Sequence, residues 1–309
     1  MPMVQCRVCG YEDTRDYMQR CADCGRLHCE DCRGWVEGFG MCDNGHCESC
    51  CCCSDAEHGS VHSYDYRPHL LFKGDTAQTM MGVELEVYGL ADQIVDAVHL
   101  VDAHEDHLYM KHDGSISGVE IVTHPMTLEY ARQYPFSKLL KNLRLSGSSV
   151  YDNYGLHIHV ARDAFRKKSY RTHKQQSDAH QMMWLLFMYR NSEQLEKLAR
   201  RSSQEWASFR KPRKGVLKEQ AKGDRNLTPR YTAVNCQNRE TFELRFFKAT
   251  LDEQEFYAAL EFADASVKYT SNLSAVDVLK GRALGWDQFT DWVLKHNYTH
   301  LYREILKQS

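Results

Sequence analysis

Four short segments of this chain carry ionisable side chains among β-branched and aliphatic residues. The ionisable residues are Glu84 and Glu86, Glu120, His157 and His159, and Glu243 and Arg245. Where two of them occur in one segment they are two positions apart, so they share one face of a β-strand. If these strands pair side by side, four carboxylates and two imidazoles line a single pocket.

Such a pocket predicts bound cations. Several carboxylates share a desolvated site only when positive charge compensates them. Carboxylate oxygens with one imidazole suit Mg²⁺ or Mn²⁺. Arg245 lies on the last strand and Arg230 lies just before the segment Tyr231-Thr232-Ala233-Val234-Asn235, and guanidinium groups match phosphate oxygens. We therefore expect nucleotide-dependent phosphoryl transfer, although the chain has no Gly-x-x-x-x-Gly-Lys-Ser/Thr phosphate loop.

Each feature taken alone has a simpler explanation. Glu84 and Glu86 fit a solvated strand face, and the two histidines fit ordinary sheet positions. Glu243 and Arg245 fit an ion pair. The coincidence of four strands with the same polar chemistry favours a site.

The elements that must position these residues indicate an α+β fold with a mostly antiparallel sheet. Apolar periodicity predicts a further strand that forms a meander pair with the Glu120 strand, and several helices. The further strand is 108–112, the helices are 92–102, most of 125–145, 177–201, 253–269 and 286–306, and 202–230 is predicted to be a mobile loop.

Length and composition limit the number of domains and the classes of partner that this chain can have. The 309 residues carry a net charge of −3, which gives no bulk attraction to nucleic acid or membrane. Apolar runs are too short to span a bilayer, and the first residues lack a signal-peptide pattern, so we expect a cytosolic protein. A polar linker near 54–66 suggests two domains, 1–60 and 61–309.

The first predicted domain is rich in cysteine. All 13 cysteines except Cys236 lie between Cys6 and Cys53. Four pairs have the two-residue spacing of tetrahedral Zn²⁺ ligands: Cys6 and Cys9, Cys21 and Cys24, Cys29 and Cys32, and Cys47 and Cys50. They resemble cross-braced RING and FYVE zinc fingers, which implies about two structural zinc ions. For the last pair, other ligands compete: Cys42, His46, Cys51, Cys52 and Cys53.

The first predicted domain, which we call the zinc head, carries a charge that limits the partners it can bind. Segment 1–60 has five arginines and eleven acidic residues, which argues against direct DNA binding. A structural or protein-docking role is the favoured interpretation, and ubiquitin-ligase activity is the alternative that the RING-like spacing leaves open.

The motifs of the larger segment resemble the amidoligase family, the phage and bacterial branch of the glutamine synthetase and glutamate–cysteine ligase superfamily. The resemblance spans roughly residues 80–252 and depends on the order of its motifs. They are Gly82-Val83-Glu84-Leu85-Glu86, Asp113-Gly114-Ser115 with Glu120-Ile121-Val122-Thr123-His124-Pro125, Gly155-Leu156-His157-Ile158-His159, and Glu243-Leu244-Arg245-Phe246-Phe247.

The resemblance implies a curved antiparallel half-barrel of the glutamine synthetase type, with helices on the convex side and ATP and metals in the concave face. It implies ligation of a carboxylate to an amine through an acyl phosphate. The implied metal ligands are Glu84, Glu86, Glu120, His157 and Glu243. The implied catalytic residues are Arg245, Arg230, His159 and Glu120, and His159, Arg245, Arg230 and Asn235 would contact the nucleotide.

Two other classes of function stay open at this level. One is a metal-dependent phosphotransferase or hydrolase that uses the same sheet. The other is a non-enzymatic adaptor whose working part is the zinc head. The substrates of a ligase would be an acid and an amine, free or within an amino acid, peptide, protein or modified base.

Overall fold

The computed structural model describes most of the chain after residue 60 and short parts before it. The described residues are 3–6, 12–14, 18–20, 27–28, 61–114, 116–165, 173–202, 207–210, 214–221, 230–271, 273, 276 and 283–308. The chain divides into two compact units, Met1–Leu71 and Phe72–Ser309.

The described part of the first unit contains two short antiparallel strand pairs. The strands are Met3–Gln5 (β1) with Glu12–Thr14 (β2), and Gln19–Arg20 (β3) with Leu27–His28 (β4). Cys6 and Met18 are buried together, and Val4 and Leu27 pack against them. The predicted zinc cysteines other than Cys6 lie outside the described residues, so the cross-brace remains a prediction.

The second unit is built on a six-stranded sheet. In spatial order its strands are Leu108–Lys111 (β6), Val119–Thr123 (β7), Met81–Val87 (β5), Gly155–Ala161 (β8), Thr241–Lys248 (β10) and Val234–Asn235 (β9). Every neighbouring pair is antiparallel and the sheet is not closed, so the predicted antiparallel sheet and the meander of β6 with β7 are confirmed.

Helices alternate with groups of strands along the chain, as the α+β prediction requires. In the described residues the α-helices are Ala91–His99 (α1), Leu128–Gln133 (α2), Phe136–Leu145 (α3), His173–Arg190 (α4), Ser192–Ala199 (α5), Lys214–Ala221 (α6), Glu253–Ser271 (α7), Trp286–Lys295 (α8) and Thr299–Leu306 (α9). A 3₁₀ turn at Arg162–Phe165 follows β8.

One face of the sheet forms the core. Its apolar residues alternate with the polar ones along β5 and β8 and are all buried: Val83, Leu85, Val87, Leu156, Ile158 and Val160. On β10, Phe242 packs against Trp184 of α4, with ring centroids 5.1 Å apart. The Trp184 indole N–H donates a 2.8 Å hydrogen bond to the Ser266 hydroxyl of α7, which ties both helices to the sheet.

The strand β10 contains an irregularity that changes the face of the sheet from which its side chains project. Its register against β8 shifts between Leu244 and Phe247. Strict alternation would place Phe246 and Phe247 on opposite faces, yet both rings lie about 6 Å from the Phe262 ring of α7. The irregularity therefore ends the polar face of β10 after Arg245 and returns Phe247 to the core.

The predicted long helix over 177–201 is wrong as one element. It is two helices, α4 and α5, which separate at Asn191. The buried Asn191 side chain donates hydrogen bonds to the carbonyl oxygens of Phe187 at 2.8 Å and Leu284 at 2.9 Å. A side chain that bonds the backbone in this way competes with helix continuation.

Three other boundaries differ from the prediction. The helical stretch 125–145 is interrupted at Tyr134, whose extended backbone (ψ 139) is the conformation favoured before Pro135. The predicted helix over 286–306 is interrupted at Asn297, which has a positive φ of 60°. The predicted loop over 202–230 contains the helix α6.

The C-terminal helices are anchored to α7 by buried acids. The Glu261 carboxylate accepts hydrogen bonds from Arg132 at 2.7 Å, from His300 Nδ1 at 3.0 Å and from the Leu301 backbone N–H at 2.9 Å. Asp264 accepts a 2.7 Å hydrogen bond from the Tyr298 hydroxyl. These bonds satisfy carboxylates that would otherwise be buried at high cost.

The described helices include none that is both long enough and apolar enough to cross a membrane.

Candidate functional site

The polar face of the sheet is organised in rows of directly opposed residues. In the first row, Lys111 of β6 lies opposite Glu120 of β7, and Glu120 lies opposite Glu86 of β5. The Lys111 ammonium lies 2.9 Å from the Glu120 carboxylate, and both side chains are nearly inaccessible to solvent, at 11% and 3% exposure. This row thus carries two acids and one fixed protein cation.

Two further rows continue the polar face toward β10. Glu84 of β5 lies opposite His157 of β8. His159, two residues further along β8, lies opposite Glu243 of β10, which in turn lies opposite Asn235 of β9. The registers therefore bring residues together that are up to 159 positions apart in the sequence.

His157 lies among three carboxylates. Its Nδ1 is 3.5 Å from Glu84 Oε2 and 3.6 Å from Glu243 Oε1, and its Nε2 is 3.8 Å from Glu86 Oε1. These distances exceed a hydrogen bond, and the two ring nitrogens face carboxylates on different sides of the imidazole. His157 is the link between the carboxylates of β5 and the carboxylate of β10.

His159 occupies the more accessible side of the site. Its Nε2 lies 3.1 Å from Glu84 Oε1, and its Nδ1 lies 3.1 Å from the Thr241 hydroxyl. The side chains of Glu84 and His159 are 20% and 19% exposed, against 6% for Glu243. Glu84 and His159 are therefore the groups through which a ligand reaches the deeper acids.

Glu243 is held from two sides. Its Oε2 accepts a 2.8 Å hydrogen bond from the Asn235 side-chain amide, and its Oε1 is paired with Arg245 Nη1. The Asn235 side-chain oxygen Oδ1 accepts a 3.0 Å hydrogen bond from the Gln237 backbone N–H. Asn235, which the sequence placed at the nucleotide, is thus engaged in orienting Glu243.

Arg245 and Arg230 meet at one aromatic ring. Each guanidinium carbon lies 5.9 Å from the centroid of the Tyr231 ring. The Arg245 side chain is mostly buried, at 11% exposure, whereas Arg230 is exposed. The structure brings Arg245 into contact with the carboxylates and connects Arg230 to them through Tyr231.

Glu86 depends on a close approach of the backbone of β8. The Gly155 N–H donates a 2.6 Å hydrogen bond to Glu86 Oε2. A Cβ atom at Gly155 would collide with His157 Nε2 and would lie 2.8 Å from Arg201 Nη1. Glycine is therefore the residue that lets His157 and Glu86 share this space.

Arg201, which lies close to Gly155, also stabilises the irregular part of β10. Its guanidinium donates hydrogen bonds to the carbonyl oxygens of Asn153 at 2.8 Å, Arg245 at 3.4 Å and Phe247 at 3.5 Å. Its positive charge also lowers the pKa of Glu86, although burial raises that pKa more strongly. Arg201 thus supports the backbone that carries Arg245.

The protonation of the site follows from burial and from these charges. Burial and the charge of Glu84 raise the pKa of Glu120 to about 7, in spite of Lys111. Burial lowers the pKa of His159, but Glu84 and Glu243 outweigh it and raise the value to about 9. Burial raises the pKa of Glu84 and of Glu243, but the histidines beside them outweigh burial and hold each pKa below its usual range.

The donor set fits divalent cations. Three overlapping groups have ligand atoms within 4.8 Å of one another: Glu84, Glu120 and His157; Glu84, His159 and Glu243; and Glu86, Asp113 and Glu120. Within the described residues, His157 Nδ1 and His159 Nε2 are buried without a hydrogen bond, although both face carboxylates. Carboxylates with one imidazole are the ligands that Mg²⁺ and Mn²⁺ accept.

The structure adds residues that the sequence did not identify as part of the site. They are Lys111, Asp113, Arg201 and Thr241. Lys111 was detectable only from its register with Glu120, which the sequence does not specify. Asp113 was noticed only as a turn residue and as part of the Asp113-Gly114-Ser115 motif.

The chain was compared with protein families, curated proteins and solved structures. The family model described as "putative amidoligase enzyme" matches residues 94–267, which include every predicted site residue of the sheet except Glu84 and Glu86. No curated protein matches the chain. A bifunctional glutathione synthetase from Pasteurella multocida is similar in structure, with a TM-score of 0.38 and 11% sequence identity.

That similarity covers 75% of this chain and 46% of the glutathione synthetase, so the chain spans about half the length of that enzyme. The family match covers more than half of the 309 residues and contains the strands β7, β8 and β10 of the polar face. The chain therefore belongs to the amidoligase family.

Proposed function

We propose that this chain is an ATP-dependent carboxylate–amine ligase that forms an amide bond through an acyl phosphate. Membership of the amidoligase family supports a ligase enzyme. The single observation that carries the specific proposal is the convergence of Glu84, Glu120 and Glu243 with both histidines and Arg245 on one face of the sheet.

The acids of this face require cations, and the proposal assigns Mg²⁺ or Mn²⁺ to them. The residues that would hold the ions are Glu84, Glu120 and His157 in one group, and Glu84, His159 and Glu243 in the other. When bound, such ions neutralise the charge of the phosphate oxygens of ATP. Glu84 belongs to both groups, so it would be shared between the ions.

Arg245 is the residue suited to the transferring phosphoryl group. Its guanidinium is fixed beside Glu243 and is largely shielded from solvent, which strengthens its interaction with an anion. A positioned arginine stabilises the charge on the equatorial oxygens in phosphoryl transfer. Arg230, across the Tyr231 ring, would contact the outer phosphates or the substrate acid.

The proposed reaction has two steps. First, an oxygen of the substrate carboxylate attacks the γ-phosphorus of ATP, and the bond to the β-phosphate oxygen breaks, which gives an acyl phosphate and ADP. The neutral amine then attacks the acyl carbon, phosphate leaves with its electron pair, and the amine proton passes to a base.

The proposal is tested by ADP release from the purified chain with ATP, Mg²⁺, a mixture of amino acids and an amine library. We expect ADP and a new amide by mass spectrometry. The double variant Glu84→Gln, Glu86→Gln should lose both products. Glu240→Gln is the matched control, because this glutamate is 80% exposed and pairs with Arg239 at the surface.

The outcomes separate the competing functions. Phosphate release or transfer without an amide indicates a phosphotransferase or hydrolase on the same sheet. No ADP above the level of the double variant overturns the ligase proposal. In that case an adaptor role predicts that biological activity is lost on deletion of the head and is retained in Glu243→Gln.

The first unit enters the proposal as a zinc-binding head that docks a protein partner. The spacing of its cysteine pairs supports about two zinc ions. Elemental analysis of the chain, purified without chelators, tests this assignment. Much less than two zinc ions per chain contradicts the cross-brace without affecting the ligase proposal.

A further inference from the structure

We propose that Arg201 binds the carboxylate of the acid substrate, so that the site has one arginine for the phosphoryl group and a second for the acyl group. This inference rests on the proposed function, because it assigns a residue to one of the two ligase substrates. Arg201 is a buried cation to which the proposed reaction gives no other part.

The guanidinium of Arg201 lacks a carboxylate partner. The residue is only 9% exposed, yet no carboxylate of the described residues lies within ion-pair distance of it. Lys111, Arg200 and Arg245, by contrast, each pair with a glutamate. A buried charge is normally paired, because burial removes its solvation. An anion that binds beside Arg201 would therefore be stabilised.

The hydrogen bonds of Arg201 leave two of its donors unused. Its Nη2 donates to the Asn153 carbonyl oxygen at 2.8 Å, and its Nη1 makes two longer bonds, at 3.4 and 3.5 Å, to carbonyl oxygens of β10. Its Nε is buried without a hydrogen bond in the part of the chain that the structure describes. The Nε–H and the second N–H of Nη2 match the two oxygens of a carboxylate.

Arg201 lies beside the residues of the polar face. A Cβ atom at Gly155 would collide with His157 Nε2 and lie 2.8 Å from Arg201 Nη1, so the imidazole and the guanidinium are neighbours. The other ring nitrogen of His157 lies 3.6 Å from Glu243 Oε1, the atom that pairs with Arg245. The two arginines therefore lie on the two sides of one imidazole, as neighbouring acyl and phosphoryl groups require.

The charges around Arg201 favour an anion at this place. Burial and the charge of Arg245 lower the pKa of Arg201, and the charge of Glu86 raises it. The two guanidinium groups thus repel each other, while Glu86 Oε2 is engaged by the Gly155 N–H. A substrate anion next to both arginines would relieve this repulsion.

A groove gives solvent molecules access to Arg201. Its volume is about 500 Å³, which is enough for a small-molecule substrate. The groove is lined by Arg201 and by residues of α5 and of the segment that follows it: Glu193, Glu196, Lys197, Arg200 and Ser202. An acid in this groove can place its carboxylate against the guanidinium.

Arg201 would act in both steps of the proposed reaction. While one oxygen of the carboxylate attacks the γ-phosphorus, the other oxygen stays bonded to Arg201. When the amine adds to the acyl carbon, this second oxygen takes the negative charge, and the carbonyl forms again as phosphate leaves. A fixed guanidinium stabilises such an oxyanion.

Nuclear magnetic resonance of arginine Nε–H groups in the full-length chain with Mg²⁺ tests the assignment, with acetate as the probe. The Arg201 signal is identified by its absence in Arg201→Lys. We expect this signal to move in a saturable way as acetate is added and to stay in place with equal concentrations of chloride. A signal that acetate leaves unchanged overturns the inference.

The Nε–H of Arg162 is the matched control. This arginine is buried to the same degree, at 8% exposure, but its Nε donates to the Asn238 carbonyl oxygen at 3.2 Å. Its signal, identified from Arg162→Lys, should stay in place, and equal movement of the two signals overturns the inference. If Arg201→Lys fails to fold, Arg201→Gln supplies the identification, and the titration of the wild type decides in either case.

Kinetics with the acid that the ligation screen identifies separate substrate binding from support of the backbone. Arg201→Lys should raise the KM for this acid by about 10–100-fold, because donors to a charged group are lost, and should leave the KM for ATP unchanged. An equal rise in both KM values shows that Arg201 only supports Arg245 and overturns the inference. Arg239→Lys, at an 81% exposed position, should change neither value.

The titration contains no ATP, so its result does not depend on the ligase reaction. Movement of the Arg201 signal in a chain that forms no amide retains an anion site at Arg201 and overturns only the proposed function. An active ligase whose Arg201 signal does not move overturns the role of Arg201 alone.

Discussion

The backbone N–H of Gly155 donates a 2.6 Å hydrogen bond to the carboxylate of Glu86, which lies 69 positions earlier in the chain. The same glycine leaves room for the imidazole of His157. One residue without a side chain thus fixes a carboxylate and admits a histidine at the same point of the sheet.

Gly155→Ala should disrupt this point of the site. The new methyl group would collide with His157 Nε2 and approach Arg201 Nη1. We expect a loss of about 1–3 kcal/mol in the free energy of unfolding from overpacking and a fall of about 10²-fold in ADP release from misplacement of reacting groups. Urea unfolding and the ligation assay measure the two effects.

Gly215→Ala is the control for this substitution, because a Cβ at Gly215 meets no atom within 4 Å. It should leave the activity unchanged. A Gly155→Ala chain with wild-type activity would show that His157 and Glu86 do not need their present positions.

Arg245→Ala should reduce ADP release by about 10³-fold or more if this guanidinium stabilises the transferring phosphoryl group. The chain should still fold, because Asn235 continues to hold Glu243. Single-turnover ADP formation measures the effect on phosphoryl transfer. Arg239→Ala is the control, since Arg239 is 81% exposed, and equal rates in the two variants would remove Arg245 from the reaction.

The affinity for Mn²⁺ should rise with pH between about 6 and 9. The pKa of Glu120 is raised to about 7 and that of His159 to about 9, so both groups lose their protons within this window in the metal-free chain. Protonated groups cannot ligate, so binding releases protons. Calorimetry in buffers of different ionisation enthalpy measures this release, and a pH-independent affinity would contradict it.

The stability of the metal-free chain should fall as the pH rises, whereas its affinity for Mn²⁺ should increase. A folded-state pKa above the unfolded value means that the native chain binds the proton more tightly. The stability contributed by His159 is therefore present below its unfolded pKa of 6.5 and is lost as the pH rises toward about 9. Thermal melting of the metal-free chain from pH 6 to 9 should show the loss, and excess Mn²⁺ should reverse it.

Glu261→Ala should destabilise the chain by about 3–5 kcal/mol, because it leaves buried partners without their acceptor. Arg132, His300 and the Leu301 N–H all donate to this fully buried carboxylate. Urea unfolding measures the change. Glu193→Ala, at an exposed position of α5, should change the free energy of unfolding by less than about 0.5 kcal/mol. Similar values for the two variants would mean that the buried network contributes little.

The facing of the strands was predictable, because a period of two in apolar residues such as Val83 and Leu85 specifies which side enters the core. The clustering of Glu84 with His157 also followed from the assumption that the polar strands pair. Both predictions rest on local pattern and are confirmed by the burial and the registers.

The features of the fold and of the site that the sequence did not predict depend on contacts between residues far apart in the chain. The pairing of Lys111 with Glu120 requires the exact register of β6 and β7, which a sequence of short strands leaves open. The break at Asn191 depends on the Leu284 carbonyl, 93 positions away. The irregularity that turns Phe247 into the core likewise involves Arg201, whose charge gave no indication of its backbone contacts.

The rows of the polar face have a consequence for the order of events during synthesis. Glu84 and Glu243 belong to the same candidate ligand group but are separated by most of the second unit, so this group forms only after β10 has left the ribosome and paired with β8. Before this pairing, the carboxylates of this group are scattered, without the geometry that retains an ion. Under the proposed assignment, an ion held by this group would report that β10 has paired with β8, whereas the group of Glu84, Glu120 and His157 would be complete before β10 is added.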